Sequence, residues 1–300
     1  MFIGKVVFDS SQLAAASRIF SSSVFKEMAK SAQSPLFARL IKQMKVVDDN
    51  NCRILVGQVF DDVFNVLKNK AYRHEYAYKA AVTKKILFGV HSLNTAVMLS
   101  EFRVANSKAD LVILNGTSTV YEIKSERDKL DRLEGQIKSY LKVFAKVNVI
   151  TGENHLDEIL NNYDPEIGVL LLTDRYQIKI VRKPVERKDR IEPAVLFESL
   201  TRKEHLEILT RFGEPLPNVP NTELHAVLKE KIVSFKPSDL HDVALETLKS
   251  TRSLLGLKQF TAQLPESLYA IALTIKVSRQ EQSNILTAIG TPTCEALHWG

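Results

Sequence analysis

The stretch Lys108-Ala109-Asp110-Leu111-Val112-Ile113-Leu114-Asn115-Gly116-Thr117-Ser118-Thr119-Val120-Tyr121-Glu122-Ile123-Lys124 holds two short apolar runs on either side of Asn-Gly. That pattern is a hairpin signal. Asp110 breaks the first run, and burying a carboxylate beside Leu111-Val112-Ile113-Leu114 is costly unless a cation or hydrogen bonds meet it. Further on, Glu122 and Lys124 project from one face of the second strand, because side chains alternate with a period of two.

If the strands pair with Asp110 opposite Glu122, two acids converge, an arrangement that is repulsive alone and favourable around a hard divalent cation. Register decides whether they meet. A two-residue Asn115-Gly116 turn would pair Leu114 with Thr117 and Asp110 with Tyr121, turning Glu122 to the other face. An odd loop such as Asn115 to Thr117, or one β-bulge, restores the acid pair. The sequence therefore predicts an irregular connection.

Outward from the hairpin, Glu101-Phe102-Arg103-Val104 reads as a preceding strand, and the first 88 residues read as helices. Leu13, Ile19, Phe20 and Phe25 form one run, and Ser34-Pro35 opens a second helix. Asp48-Asp49-Asn50-Asn51 breaks the pattern, a third helix carries Ile54 to Leu67, and a fourth runs from near Tyr72 to near Gly89 with Glu75 in its early turns. Downstream, Leu133, Ile137, Leu141 and Phe144 mark a helix and Val147 to Ile150 a strand. His155 to Tyr163 reads as a helix, Ile167 to Leu172 as a buried strand and Tyr176 to Val181 as its hairpin partner. From about Arg190 the chain is helical again, with Pro215, Pro217 and Pro220 as a candidate hinge and Ser278 opening a capped helix to Gly290. The expected fold class is α/β, a central mixed sheet flanked by helices with helical N- and C-terminal extensions.

With 41 Lys and Arg against 35 Asp and Glu in 300 residues, the mild positive excess permits a polyanion partner without demanding one. Cys52 and Cys294 lie far apart, which excludes a disulfide framework and a thiolate zinc site and fits a cytoplasmic setting. No apolar stretch is long enough to span a membrane, and the N-terminus does not read as a signal peptide. His74-Glu75-Tyr76-Ala77-Tyr78 ends in Tyr where the zinc-protease motif needs His, and no P-loop occurs.

Asp110 followed by Glu122-Ile123-Lys124, preceded by a helix bearing Glu75, resembles the PD-(D/E)XK nuclease superfamily over roughly residues 70 to 175. Lys108-Ala109-Asp110 stands where the strict motif has Pro-Asp. Gln136-Ile137-Lys138-Ser139-Tyr140 on the following helix resembles the Q-x-x-x-Y motif of the RecB-like branch, with both side chains on one helical face. The resemblance implies a restriction-endonuclease-like αβββαβ core at 71–190, between a helical segment at 1–70 and a helical region at 191–300. It implies Mg²⁺, with Mn²⁺ as a substitute, held by Asp110, Glu122, the Ile123 carbonyl and Glu75. Lys124 would orient the attacking water or stabilise transition-state charge, and Gln136 and Tyr140 would position the strand to be cut.

Basic residues suggest where a nucleic acid would run. Lys68, Lys70, Arg73, Lys79, Lys84 and Lys85 surround Glu75 with tyrosines between them, and a second basic run, Arg175 to Arg190, includes Arg182 and Lys183. Arg73, Lys79, Lys84, Gln136, Tyr140, Arg182 and Lys183 are the expected nucleic-acid contacts. The function the resemblance implies is a metal-dependent nuclease acting on DNA, with RNA not excluded, in repair, recombination or defence against foreign DNA. The alternative is a non-catalytic nucleic-acid-binding or regulatory module on the same fold; the helical extensions would serve a homodimer or a protein partner.

The same residues also have plainer uses. Glu122 and Lys124 are what a cross-strand charge pair on a solvated sheet would give. Gln136 and Tyr140 can simply flank a core stripe, Glu75 can be a first-turn acid favoured by the helix dipole, and basic runs can be solvated faces.

Overall fold

The computed structural model describes residues 8–46 and 54–300, so the expected break at Asp48-Asp49-Asn50-Asn51 and the placement of Cys52 lie outside the described residues. The chain divides into two compact units. The first comprises the described residues through Ile86, together with Asp174–Tyr176 and Gly256–Gly300; the second comprises Leu87–Thr173 and Gln177–Leu255. The sequence predicts three regions with boundaries after 70 and 190. In the structure, residues 71–86 group with the N-terminal helices, 191–255 group with the sheet, and 256–300 return to the first unit.

The first unit is helical. Its early helices Ser10–Arg18, Ser22–Ser31 and Pro35–Met44 each begin where a side chain accepts from the first turn: Asp9 from Gln12, Ser21 from Val24 and Ser34 from Phe37. Ser21 therefore divides in two the run expected through Leu13 to Phe25. Helices Val56–Leu67 and Glu75–Val82 follow, the latter continuing into a π turn at Thr83–Leu87. The C-terminal segment closes this core. The Trp299 ring lies 6.0 Å from that of Phe37, Leu55 bridges to Pro292, and Asn284 Nδ2 donates to Ala29 O at 2.7 Å. Helix Arg279–Ile289 has the expected Ser278 cap, completed by Glu281 as a capping box.

The second unit is built on a six-stranded mixed sheet in the order β1 (Val97–Val104), β2 (Ser107–Leu114), β3 (Ser118–Lys124), β4 (Lys146–Thr151), β5 (Gly168–Leu172) and β6 (Ile178–Arg182). β1, β2 and β3 are antiparallel, β3, β4 and β5 are parallel, and β6 returns antiparallel to β5. The parallel steps are crossovers through helices Leu133–Tyr140 and Glu153–Asn162, as parallel pairing requires. Helices on the sheet explain why β3, β4 and β5 are buried almost throughout and why β5 reads as a continuous apolar run, while the edge strand β6 is largely exposed. Helices Arg202–Arg211, Asn221–Val233 and Pro237–Thr251 complete the unit. The proline-rich loop at 215–220 connects two of them inside the unit, so it marks no unit boundary.

Candidate active site

The β2–β3 connection is the odd loop that the acid pair needs. Leu114 pairs with Ser118 and Leu111 with Tyr121, leaving three residues, Asn115 to Thr117, in the turn. Gly116 takes φ +67, and Asn115 N donates to Thr117 O at 3.1 Å. Continued by one step, the register sets Asp110 opposite Glu122. The ladder has already opened there: Asp110 Oδ2 accepts the Ile123 amide at 2.8 Å, a side-chain bond in place of a backbone one. On the other side of Asp110, pairing runs Ser100↔Leu111 and Phe102↔Ala109, passing over Glu101, whose φ is +54. A non-glycine residue in the left-handed region costs about 1 kcal/mol, so strain accompanies the gap around Asp110.

Glu122 is 1% exposed and sits at the centre of a closed set of donors. Its Oε1 accepts from Lys124 Nζ at 3.0 Å and Gln136 Nε2 at 2.5 Å, and its Oε2 accepts from the Tyr140 hydroxyl at 2.8 Å. Lys124 Nζ also donates to Gln136 Oε1 at 2.9 Å, so ammonium, amide and carboxylate form a ring of contacts. Gln136 and Tyr140 reach it together because they lie four residues apart on helix Leu133–Tyr140, which packs on β2. Burial pushes the Glu122 carboxyl above the usual range, against the pull of Lys124, Tyr140 and Gln136. Burial and the neighbouring Glu122 charge push the Tyr140 hydroxyl far up, so it stays a proton donor.

The donor chemistry fits a hard divalent cation. Asp110, Glu122 and the Ile123 carbonyl are all oxygen ligands on two adjacent strands, and a carboxylate offers about four lone-pair sites, of which three on Glu122 are in use. Among the described residues no three His, Cys, Asp or Glu side chains converge, so a cation here would rest on two carboxylates and the backbone carbonyl.

Glu75 belongs to the first unit, where Lys79 Nζ pairs with its carboxylate at 2.6 Å, the geometry of a helical i,i+4 pair. Several expected nucleic-acid contacts have structural work instead. Arg73 is 1% exposed and donates to the carbonyls of Lys68 at 2.8 Å and Asp174 at 3.1 Å. The Arg182 guanidinium donates to the carbonyls of Ile167, Leu160 and Asp164, tying β6 to the end of the preceding helix. Neither guanidinium is displayed to a polyanion; sequence position puts a charge near a site but does not say which way it faces. Lys84 is exposed and pairs with Glu266, Lys79 is half-buried, and Lys183 is exposed.

A second polar chain, with no sequence motif to mark it, joins Ser118, His241 and Asp242. Ser118 Oγ lies 3.0 Å from His241 Nε2 and accepts the Ala145 amide at 3.0 Å, while His241 Nδ1 lies 2.7 Å from Asp242 Oδ1. Lys188 Nζ holds the same Asp242 oxygen at 2.7 Å. With the Ala145 amide on its oxygen, Ser118 donates its proton to Nε2, and His241 donates through Nδ1. The adjoining cavity is lined mostly by apolar side chains and about 20 Å³, room for one water, and these groups fasten helix Pro237–Thr251 to the sheet.

Comparison with known proteins gives a family. Residues 68–263 match the family model described as bacteriophage P4 protein cII. Protein cII of Enterobacteria phage P4 is 26% identical over 196 residues, 64% of this chain and 74% of that protein. A solved structure of a protein of unknown function from Silicibacter pomeroyi is 25% identical, covering 35% of this chain and 72% of its own, with a TM-score of 0.27. The family match spans the whole Glu122 cluster and all of the sheet unit. Among the described residues no helix is long and apolar enough to cross a membrane.

Proposed function

The chain belongs to the family of bacteriophage P4 protein cII, and we propose that it is a metal-dependent nuclease that hydrolyses phosphodiester bonds in DNA. The observation that carries this reading is the buried Glu122, joined to Lys124, Gln136 and Tyr140 on the face where Asp110 interrupts its strand. A merely solvated Glu–Lys pair would not bury its carboxylate or recruit a tyrosine and a glutamine from a neighbouring helix. The order of helix Glu75–Val82, three antiparallel strands, helix Leu133–Tyr140 and parallel β4 supports a restriction-endonuclease-like αβββαβ core.

Asp110, Glu122 and the Ile123 carbonyl would hold Mg²⁺ or Mn²⁺, which when bound polarises a phosphodiester and lowers the pKa of a ligated water. Lys124 places a fixed positive charge beside the carboxylates, held between Glu122 and Gln136, where it can orient a water and offset charge developing on phosphate oxygens. Gln136 keeps that ammonium from pairing with Glu122 alone. Tyr140 donates to Glu122 Oε2 and fixes the direction of the carboxylate. Asp110, clamped on the Ile123 amide, holds the second carboxylate in place.

One observation favours the alternative of a non-catalytic binding or regulatory module: both Glu122 oxygens are already engaged by protein donors. The two readings part on turnover. Wild type, Asp110→Asn and Lys124→Ala are incubated with supercoiled, linear duplex and single-stranded DNA in Mg²⁺, Mn²⁺ or EDTA. Metal-dependent cleavage by wild type, lost in EDTA and in both folded variants, is expected. DNA binding without cleavage in any metal would move the conclusion to the binding module, and cleavage surviving both substitutions would place the site elsewhere.

A further inference from the structure

The first unit gathers like charges around one aromatic ring. Lys68 Nζ lies 5.7 Å, Arg73 Cζ 5.7 Å and Lys85 Nζ 5.9 Å from the centre of the Tyr176 ring, and Lys68 Nζ is also 4.9 Å from that of Phe64. Four segments supply them: Lys68 caps the C-terminus of helix Val56–Leu67, Arg73 follows the turn Lys70–Tyr72, Lys85 sits beside Lys84 on the π turn, and Tyr176 comes from the connection between β5 and β6. Tyr176 is placed at a cost, since its φ is +57, and its hydroxyl donates to Ala77 O at 2.6 Å, fixing the ring. Arg73 is buried and holds carbonyls, so the lysines are the part of the group that reaches solvent.

The lysines repel one another. Burial and then Lys84 lower the pKa of Lys68, and burial and Lys84 do the same to Lys85. The acids facing them are Glu266, which pairs with Lys84, and Asp61, which accepts from Ser267 Oγ at 2.7 Å. Cation–π contact offsets part of the repulsion. Lys68 Nζ also donates to Asn65 Oδ1 at 2.8 Å, and an anion bound among the ammonium groups would offset the repulsion further.

We propose that Lys68 and Lys85, gathered at Tyr176 with Lys84 next to Lys85 on the π turn, form a phosphate cradle that holds the backbone of a nucleic-acid strand on the first unit. The choice of a phosphodiester backbone over a free phosphate rests on the nuclease reading above. Phosphate contacts position a strand and carry no sequence information, so the cradle sets affinity and salt dependence.

The test uses the full chain with Asp110→Asn, in EDTA, so that binding is read without cleavage. Binding of a fluorescent single-stranded oligonucleotide is followed by anisotropy at several salt concentrations, for the parent, for Lys68→Gln/Lys85→Gln and for Lys68→Arg/Lys85→Arg, with thermal melting as the control for folding. Each phosphate contact contributes about 0.7 to the slope of log affinity against log salt on a single strand, so the Gln pair should lower it by about 1.4 and weaken binding at least about tenfold. The Arg pair should keep both. Inorganic phosphate is titrated as a competitor; displacement only at tens of millimolar fits a backbone site.

An unchanged slope in a folded Gln pair overturns the cradle, whether or not wild type cleaves DNA. So does an Arg pair that melts like the parent but binds like the Gln pair, and so does phosphate displacing the strand at micromolar concentration. Loss of cleavage with the cradle's salt slope intact would instead count against the nuclease reading alone.

Discussion

Tyr140 Oη stands 2.8 Å from Glu122 Oε2 and 3.0 Å from the carbonyl oxygen of Lys108, so one hydroxyl joins β3 to the strand that carries Asp110. The Tyr140 side chain is fully buried, and its raised pKa keeps the proton available for both acceptors. Tyr140→Phe keeps the packing and removes the donor, leaving two acceptors less satisfied. The expected loss is about 1–3 kcal/mol in urea unfolding, with cleavage reduced more than oligonucleotide binding. A change below about 0.5 kcal/mol with normal cleavage would show that the hydroxyl is incidental.

Lys124→Met tests the charge beside Glu122 while roughly preserving side-chain volume. Glu122 would then be a buried carboxylate without its cation, and removing one partner of a buried pair costs about 3 kcal/mol. Its pKa, already raised by burial, should rise further. A carboxyl with a raised folded pKa binds more protons folded than unfolded, so its penalty grows as pH rises through that window. Unfolding at pH 5 and pH 8 should therefore show a larger deficit for the variant at pH 8, and equal deficits would contradict the assignment.

A divalent cation should stabilise the fold through the same carboxylates. Ligand binding to the native state alone adds RT ln(1 + [L]/Kd), about 2.7 kcal/mol at one hundred times Kd. Mg²⁺ should raise the melting temperature of wild type over EDTA, and the shift should shrink on acidification as protons compete at Glu122, whose pKa is raised. Asp110→Asn should abolish the shift. An equal shift in that variant would place the cation elsewhere.

How much of this was legible depends on how local each relationship is. Asp110, Glu122 and Lys124 are tied by strand periodicity and a three-residue loop, and Gln136 and Tyr140 by a single helical turn, so their meeting follows from spacing. Glu101 in the left-handed region was not legible, because only the gap it spans in the ladder reveals it. Nor was the return of residues 256–300 to the first unit: the Trp299–Phe37 and Asn284–Ala29 contacts join distant segments that have no shared pattern. Charge position misled for the same reason. Arg73 and Arg182 look like phosphate contacts in the sequence, but the structure turns both guanidiniums onto carbonyls.

The buried Ser118–His241 pair, with the exposed Asp242 on Nδ1, predicts an acid-sensitive joint between the sheet and helix Pro237–Thr251. Burial lowers the pKa of His241, outweighing the pull of Asp242, with Lys188 and Glu186 as the other charges facing it. A histidine whose folded pKa lies below its unfolded value of about 6.5 binds fewer protons folded than unfolded, so its contribution is intact above that pH. It is then lost as pH falls from about 6.5 toward the folded pKa, by up to about 1.4 kcal/mol per pH unit for one proton. Protonated Nε2 could no longer accept from Ser118, so the joint would break at the histidine itself. His241→Gln removes the titration, and its stability should fall less steeply than wild type between pH 7 and pH 5. Subtracting the two profiles cancels His205 and His91, whose pKa values are also lowered by burial. Parallel profiles would mean that His241 does not titrate in this window and that the joint is held by packing alone.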